Sequence, residues 1–235
     1  MATPSLLLLL ADGRFPAGAH AHSGGLEAAV AAGRVTDLAS LEAFLAGRLA
    51  TAGLVGAAFA AAAHRAAVAT TADPAESEAR SGALARLDAE LDARTAAPAL
   101  RAVSRRQGRA LLRAGRTIWP DAPFADLPAS PGGAHQPLVL GLLCAAAGLS
   151  RVETATIAAY GTLTGAASAG VRLLGLDPYQ VQALLVGLAD ACDGAAAEAA
   201  RAADDPPERL PAAAAPLADI HAEIHATWEV RLFAS

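Results

Sequence analysis

The sequence predicts an all-α protein, a single compact domain of roughly eight to ten packed helices over residues 1–235. Three observations carry this. Hydrophobic residues make up 54% of the chain and charged ones only 17%, and much of the apolar share is alanine, the strongest helix former. Apolar residues recur at three- and four-residue spacing in segment after segment, and no segment alternates as a half-buried strand would. Prolines, glycines and capping residues fall between these segments, where helices start and stop. With aromatics at only 4%, the core is expected to be small side chains between closely approaching helices.

Taken in order, the leucine run Leu6–Ala11 is short and has no basic region before it, so it does not read as a signal peptide. The segment 12–27, DGRFPAGAHAHSGGLE, concentrates glycines, one proline, two histidines, a serine and two carboxylates, and predicts a shaped loop. Leu26–Ala32 reads as a short helix stopped by Gly33. Leu38, Leu41, Leu45 and Leu49 begin a longer helix that is expected to continue through Phe59 to His64. Thr70–Gly82, polar and containing Pro74, reads as a connection.

Helical pattern resumes from Leu84 to about Arg116 with a break at Pro98, and the proline-rich segment 117–136 predicts a loop. Leu138–Ala147 is an apolar helix ended by Gly148, and Ser150-Arg151-Val152-Glu153 is a capping box for the next. Asp177-Pro178 starts a helix with Val181, Leu184, Leu185, Leu188 and Cys192 on one stripe. After a second proline-rich linker, Ala203–Pro216, the last helix carries Leu217, Ile220, Ile224 and Trp228 along one face, and a tail, 229–235, follows.

Composition excludes several functions. All eighteen basic residues are arginine, which removes a Walker-type phosphate loop, a Schiff-base lysine and a Ser–Lys pair together. A net charge of −5 argues against general nucleic-acid binding. The apolar run Leu49–Ala63 is shorter than the ~20 residues of a membrane span. Cys144 and Cys192 stand alone in apolar stretches and read as buried thiols. The chain is expected in the cytoplasm, without nucleic acid or membrane as partner.

Four features have chemical potential. Arg101, Arg105, Arg109 and Arg113 are spaced by four, with no acid between Ala93 and Pro120, so the row is either a solvated helix face or a docking face for an acidic partner. His221 and His225, four apart, are placed to reach one metal ion or to pack between helices. His20 and His22 form a second such pair within the loop. Ser23 beside His22 and near Glu27 suggests a small hydrolase, but neighbours in sequence rarely meet triad geometry and no strand–turn elbow precedes the serine.

Five stretches stand in order: Pro16-x-Gly18-x-x-x-His22-Ser23-x-Gly25-Leu26-Glu27, then Arg101-x-x-Ser104-x-x-x-Gly108, then His135-x-Pro137-x-Val139-x-Gly141. Ser168 with Val171-Arg172-Leu173, Leu176 and Gln182 follows, and last comes His225 with Arg231-Leu232-Phe233-x-Ser235. Together they resemble the signature of the UreF family of urease accessory proteins. His20 stands where the family carries an aromatic, and Ala226 where it carries an acid. The resemblance implies a non-catalytic, all-helical homodimer that binds UreD (also called UreH) and recruits the GTPase UreG, so that nickel enters apo-urease. It implies no stably bound cofactor, only transient nickel passage and GTP on the partner. By the same resemblance Pro16, Gly18, His22, Ser23, Gly25, Glu27, Arg101, Ser104 and Arg172 are partner-contacting residues, and Arg231, Leu232, Phe233 and Ser235 form a tail that orders on UreD. A nickel carrier using the histidines is the alternative.

Overall fold

The computed structural model describes residues 4–16, 21–68 and 74–234, and among them helices are the only regular elements. In chain order they are α1 (Pro4–Ala11), α2 (Leu26–Ala31), α3 (Leu38–Arg48), α4 (Leu54–Val68), α5 (Pro74–Arg94), α6 (Pro98–Ile118), α7 (Gln136–Ala146), α8 (Arg151–Leu174), α9 (Pro178–Gly187), α10 (Ala189–Ala202) and α11 (Pro216–Ala226). The all-α expectation holds. A π turn at Leu49–Gly53 joins α3 to α4 without a break, giving one continuous 31-residue rod from Leu38 to Val68.

That rod is longer than its sequence suggests, and by length and composition it is long and apolar enough to cross a bilayer. Its second half is the core of the bundle instead. Residues Val55, Phe59, His64 and the alanines between Gly56 and His64 are buried, and α4 packs against α7, α8 and α10. Alanine makes this possible, because a helix faced with methyl groups lets a neighbour come close. Gly141 on α7 marks the closest approach: a Cβ there would lie 2.4 Å from the Ala60 carbonyl oxygen and 2.7 Å from the His64 nitrogen. Gly141→Ala therefore has to push two helices apart. The expected loss is about 1–3 kcal/mol, read as a lower urea midpoint at unchanged m-value.

Most helix boundaries follow from local chemistry. Asp37 and Ser40 form a capping box at α3, Ser150 and Glu153 one at α8, and Asp177 caps α9 ahead of Pro178. Gly33 takes φ +67 after α2. The segment 70–82 departs from expectation. Pro74 opens α5 rather than interrupting a connection. Proline is well tolerated in a first helical turn, and Ser77 and Arg80 secure that turn on Asp126, at 2.9 Å for Ser77, from the 3₁₀ turn Phe124–Asp126 of the proline-rich loop.

α11 is seated unlike the other helices. Its Leu217, Ile220 and Ile224 stripe faces solvent at 45%, 56% and 50% exposure, while Ala222 and His225 face inward. The helix is seated by polar contacts: Glu223 Oε1 accepts the Ala99 N–H at 2.7 Å, placing a negative charge on the N-terminus of α6. Both cysteines are buried and free, and burial pushes the Cys144 thiol up to about 12.

Candidate functional site: a latched tail and a buried ion network

The two ends of the chain meet on one carboxylate. Glu27, in the first turn of α2, is buried, and its oxygens accept the Leu232 N–H at 2.7 Å, the Phe233 N–H at 3.0 Å and His225 Nε2–H at 3.0 Å. The Ala234 N–H adds a bond to the Ala21 carbonyl at 2.7 Å. Phe233 is buried under the Arg172 guanidinium, whose carbon stands 5.0 Å from the ring centre. Trp228 packs against the His225 ring at 4.7 Å. The tail is thus latched to the signature loop by residues 198 and more positions away from Glu27.

The loop itself is built to present Glu27. Gly24 and Gly25 take φ +64 and +90, and Arg48 of α3 donates to the Gly24 carbonyl. Burial pushes the Arg48 guanidinium down to about 10. Ser23 is fully buried, and its Oγ accepts the Glu27 N–H at 3.2 Å. That position starts a helix and does not offer an exposed nucleophile. Burial pushes the Glu27 carboxyl up, but the hydrogen bonds from Leu232, His225 and Phe233 outweigh it and hold the group below the usual carboxylate range.

The second constellation lies between α5, α6 and the start of α7. Asp88, 3% exposed, accepts from Arg105 at 3.1 Å, from the Ser130 hydroxyl at 2.6 Å and from the His135 N–H at 3.1 Å. Arg105 reaches Asp92 as well, at 2.9 Å, and the Gly133 carbonyl. His135 Nε2 lies 2.8 Å from Asp92, and Nδ1 lies 3.0 Å from Ser104 Oγ, which also accepts the Gln136 N–H at 3.3 Å. Burial pushes the imidazole of His135 down despite Asp92, so the ring is neutral, donating to Asp92 and accepting from Ser104. Gly108 admits this loop, since a Cβ there would meet the Ala134 carbonyl oxygen at 2.2 Å.

Several sequence expectations change here. The four-spaced arginines are not one face. An i+4 row drifts around a helix by about 40° per step, so its members meet different surroundings. Arg101 donates to the carbonyls of Thr95 and Ala96, Arg105 is buried on Asp88 and Asp92, Arg109 donates to the Gly132 carbonyl, and Arg113 is exposed. The acids that answer this row come from the chain's own α5. Ser104 likewise serves the interior network.

The histidine pair on α11 is also divided: His225 turns inward to Glu27, so its Nε2 is not free to share an ion with His221. Among the described residues no three His, Cys, Asp or Glu side chains converge as a metal site. Pro16, Arg172, Arg231 and Leu232 are exposed, and His22 is half-buried. Gly18, His20 and Ser235 lie outside the described residues.

Sequence reading missed the Glu27–His225 contact, and no local spacing announces it. The Asp88–Arg105 contact had a signal. Asp88 and Asp92, four apart, stand opposite Arg105 and Arg101, also four apart, at matching distances from the Thr95–Ala97 turn.

Comparison with known proteins covers both constellations. The UreF family model matches residues 35–189, more than half of the chain. The chain is 43% identical to the urease accessory protein UreF of Mycolicibacterium vanbaalenii over 235 residues, all of both chains. It is 45% identical to that of Mycobacterium marinum over the same full span. To the UreF of Mycobacterium tuberculosis H37Rv it is 45% identical over 199 residues, 85% of this chain and 86% of the relative.

Proposed function

Because the chain belongs to the UreF family of urease accessory proteins, which serve urease maturation, we propose that it is a non-catalytic cytoplasmic scaffold that binds UreD (UreH) through its latched tail and recruits the GTPase UreG, so that nickel is delivered into apo-urease. The observation that carries this is the Glu27 latch. It joins the signature loop to the tail, while Arg172, Arg231 and Leu232 are exposed, as are Leu217, Ile220 and Ile224 of α11. A bare apolar helix face rimmed by charge is what a protein partner covers. Nickel is cargo in this reading and GTP belongs to the partner.

A homodimer within the complex fits α8. Its Gly161 and Gly165 have nothing within 4 Å of where a Cβ would stand, and Tyr160 beside them is exposed. Mid-helix glycines cost helix stability, and a second subunit approaching closely would use the space.

The test is a titration of this protein with its host's UreD. Arg231→Ala with Phe233→Ala is expected to weaken binding at least tenfold while far-UV dichroism stays unchanged. Equal affinity of the double variant would overturn the tail assignment. Light scattering on the mixture with UreD and GTP-loaded UreG is expected to show one assembly containing all three, and absence of UreG from it would remove the recruiting role.

A further inference from the structure

Arg106, Arg109, Arg113 and Arg116 are all exposed on α6. Their offsets of three, seven and ten residues place them within an arc of about 80° along roughly 15 Å of helix. Arg109 reaches the Gly132 carbonyl. The guanidinium groups of Arg106, Arg113 and Arg116 make no ion pair or hydrogen bond among the described residues. This contrasts with Arg101 and Arg105 on the same helix, which bond carbonyls and carboxylates. α6 itself contains no acid, so four like charges repel one another with no internal relief. They do so on a chain whose net charge is −5, which makes the stripe a local feature and not part of a general basic character.

We infer that this face of α6 is a docking surface for an acidic helix of a partner protein. Charge complementarity selects an acidic partner. The helical register of the arginines selects a helix, whose own carboxylates at three- and four-residue spacing match it rung for rung. At the two ends of the arginine row stand exposed Ala102 and Thr117, short enough for another helix to lie close. Nucleic acid is the poorer fit, because no aromatic side chain stands among the arginines to stack a base. The proposal does not depend on the UreD reading.

The probe is a fluorescein-labelled, alanine-based helical peptide carrying Glu at relative positions 0, 3, 7 and 10 (a spacing copied from α6), titrated with the full-length protein by anisotropy. Saturable binding that weakens with added salt is expected. Arg106→Ala with Arg113→Ala and Arg116→Ala should reduce affinity at least tenfold, and the peptide with Gln in place of Glu should not bind. A charge-matched control, Arg34→Ala with Arg65→Ala and Arg201→Ala, removes three arginines exposed elsewhere and should retain most of the affinity. The proposal fails if the α6 triple variant binds as the parent does, or if the control loses as much. It also fails if an oligo-dT strand binds the face and displaces the peptide. Arg→Gln at the same three positions supplies a second variant should the alanine one lose helical signal.

Discussion

Asp88→Ala is expected to lower stability by about 3–5 kcal/mol, because it takes from the buried Arg105 guanidinium its one buried carboxylate and leaves it only the more exposed Asp92. The same change strips the acceptor from the Ser130 hydroxyl and from the His135 N–H, so the segment between the 3₁₀ turn and α7 loses its anchor. For a chain of this size the thermal midpoint should fall on the order of 10 °C. Asp88→Asn keeps one acceptor oxygen without the charge and should cost roughly half as much. Denaturation followed at 222 nm measures both, and limited proteolysis should find new cleavage near Ser130–Gly133. A loss below about 1 kcal/mol would mean that Arg105 escapes to water and that the network does not hold α5 to α7.

The same network shows how far the sequence could be read. Helices with a continuous apolar stripe and a cap, such as α3 with Asp37 or α8 with Ser150 and Glu153, were legible because both signals are local. The first turns of α5 were not, since the polar stretch after Pro74 has no stripe of its own and is held by Asp126, more than forty residues on. The inward face of α11 was not legible either, for a related reason. A row of Leu and Ile is normally the buried one, whereas here Ala222 and His225 face inward, and His225 is received by a carboxylate on a distant helix. Residues of the motifs, read from the resemblance as partner contacts or signature positions, take part in interior packing and hydrogen bonding. Ser104, Gly108, His135 and Gly141 come together as the packing and hydrogen bonding around α7, and Glu27, His225 and Phe233 as the latch.

Glu27→Ala should release the tail while leaving the bundle folded, since the carboxylate takes three donors from residues beyond α10 and only its backbone belongs to α2. A hydrogen bond to a charged acceptor contributes about 1.5–3 kcal/mol, so the amides of Leu232 and Phe233 should exchange roughly 10- to 100-fold faster. Exchange at core amides of α4 should not change. The latch is also expected to respond to acid. The folded carboxyl lies below its reference value of 4.5, so its contribution is complete above that value and is lost as pH falls through the lower, folded one. Tail protection should therefore be flat through neutral pH and collapse only in acid. In Glu27→Gln the acid step should vanish, because no group at that position remains to be protonated. If the parent and Glu27→Gln lost tail protection at the same pH, the latch would not be the element that titrates, and the tail would be held by Phe233 beneath Arg172 instead.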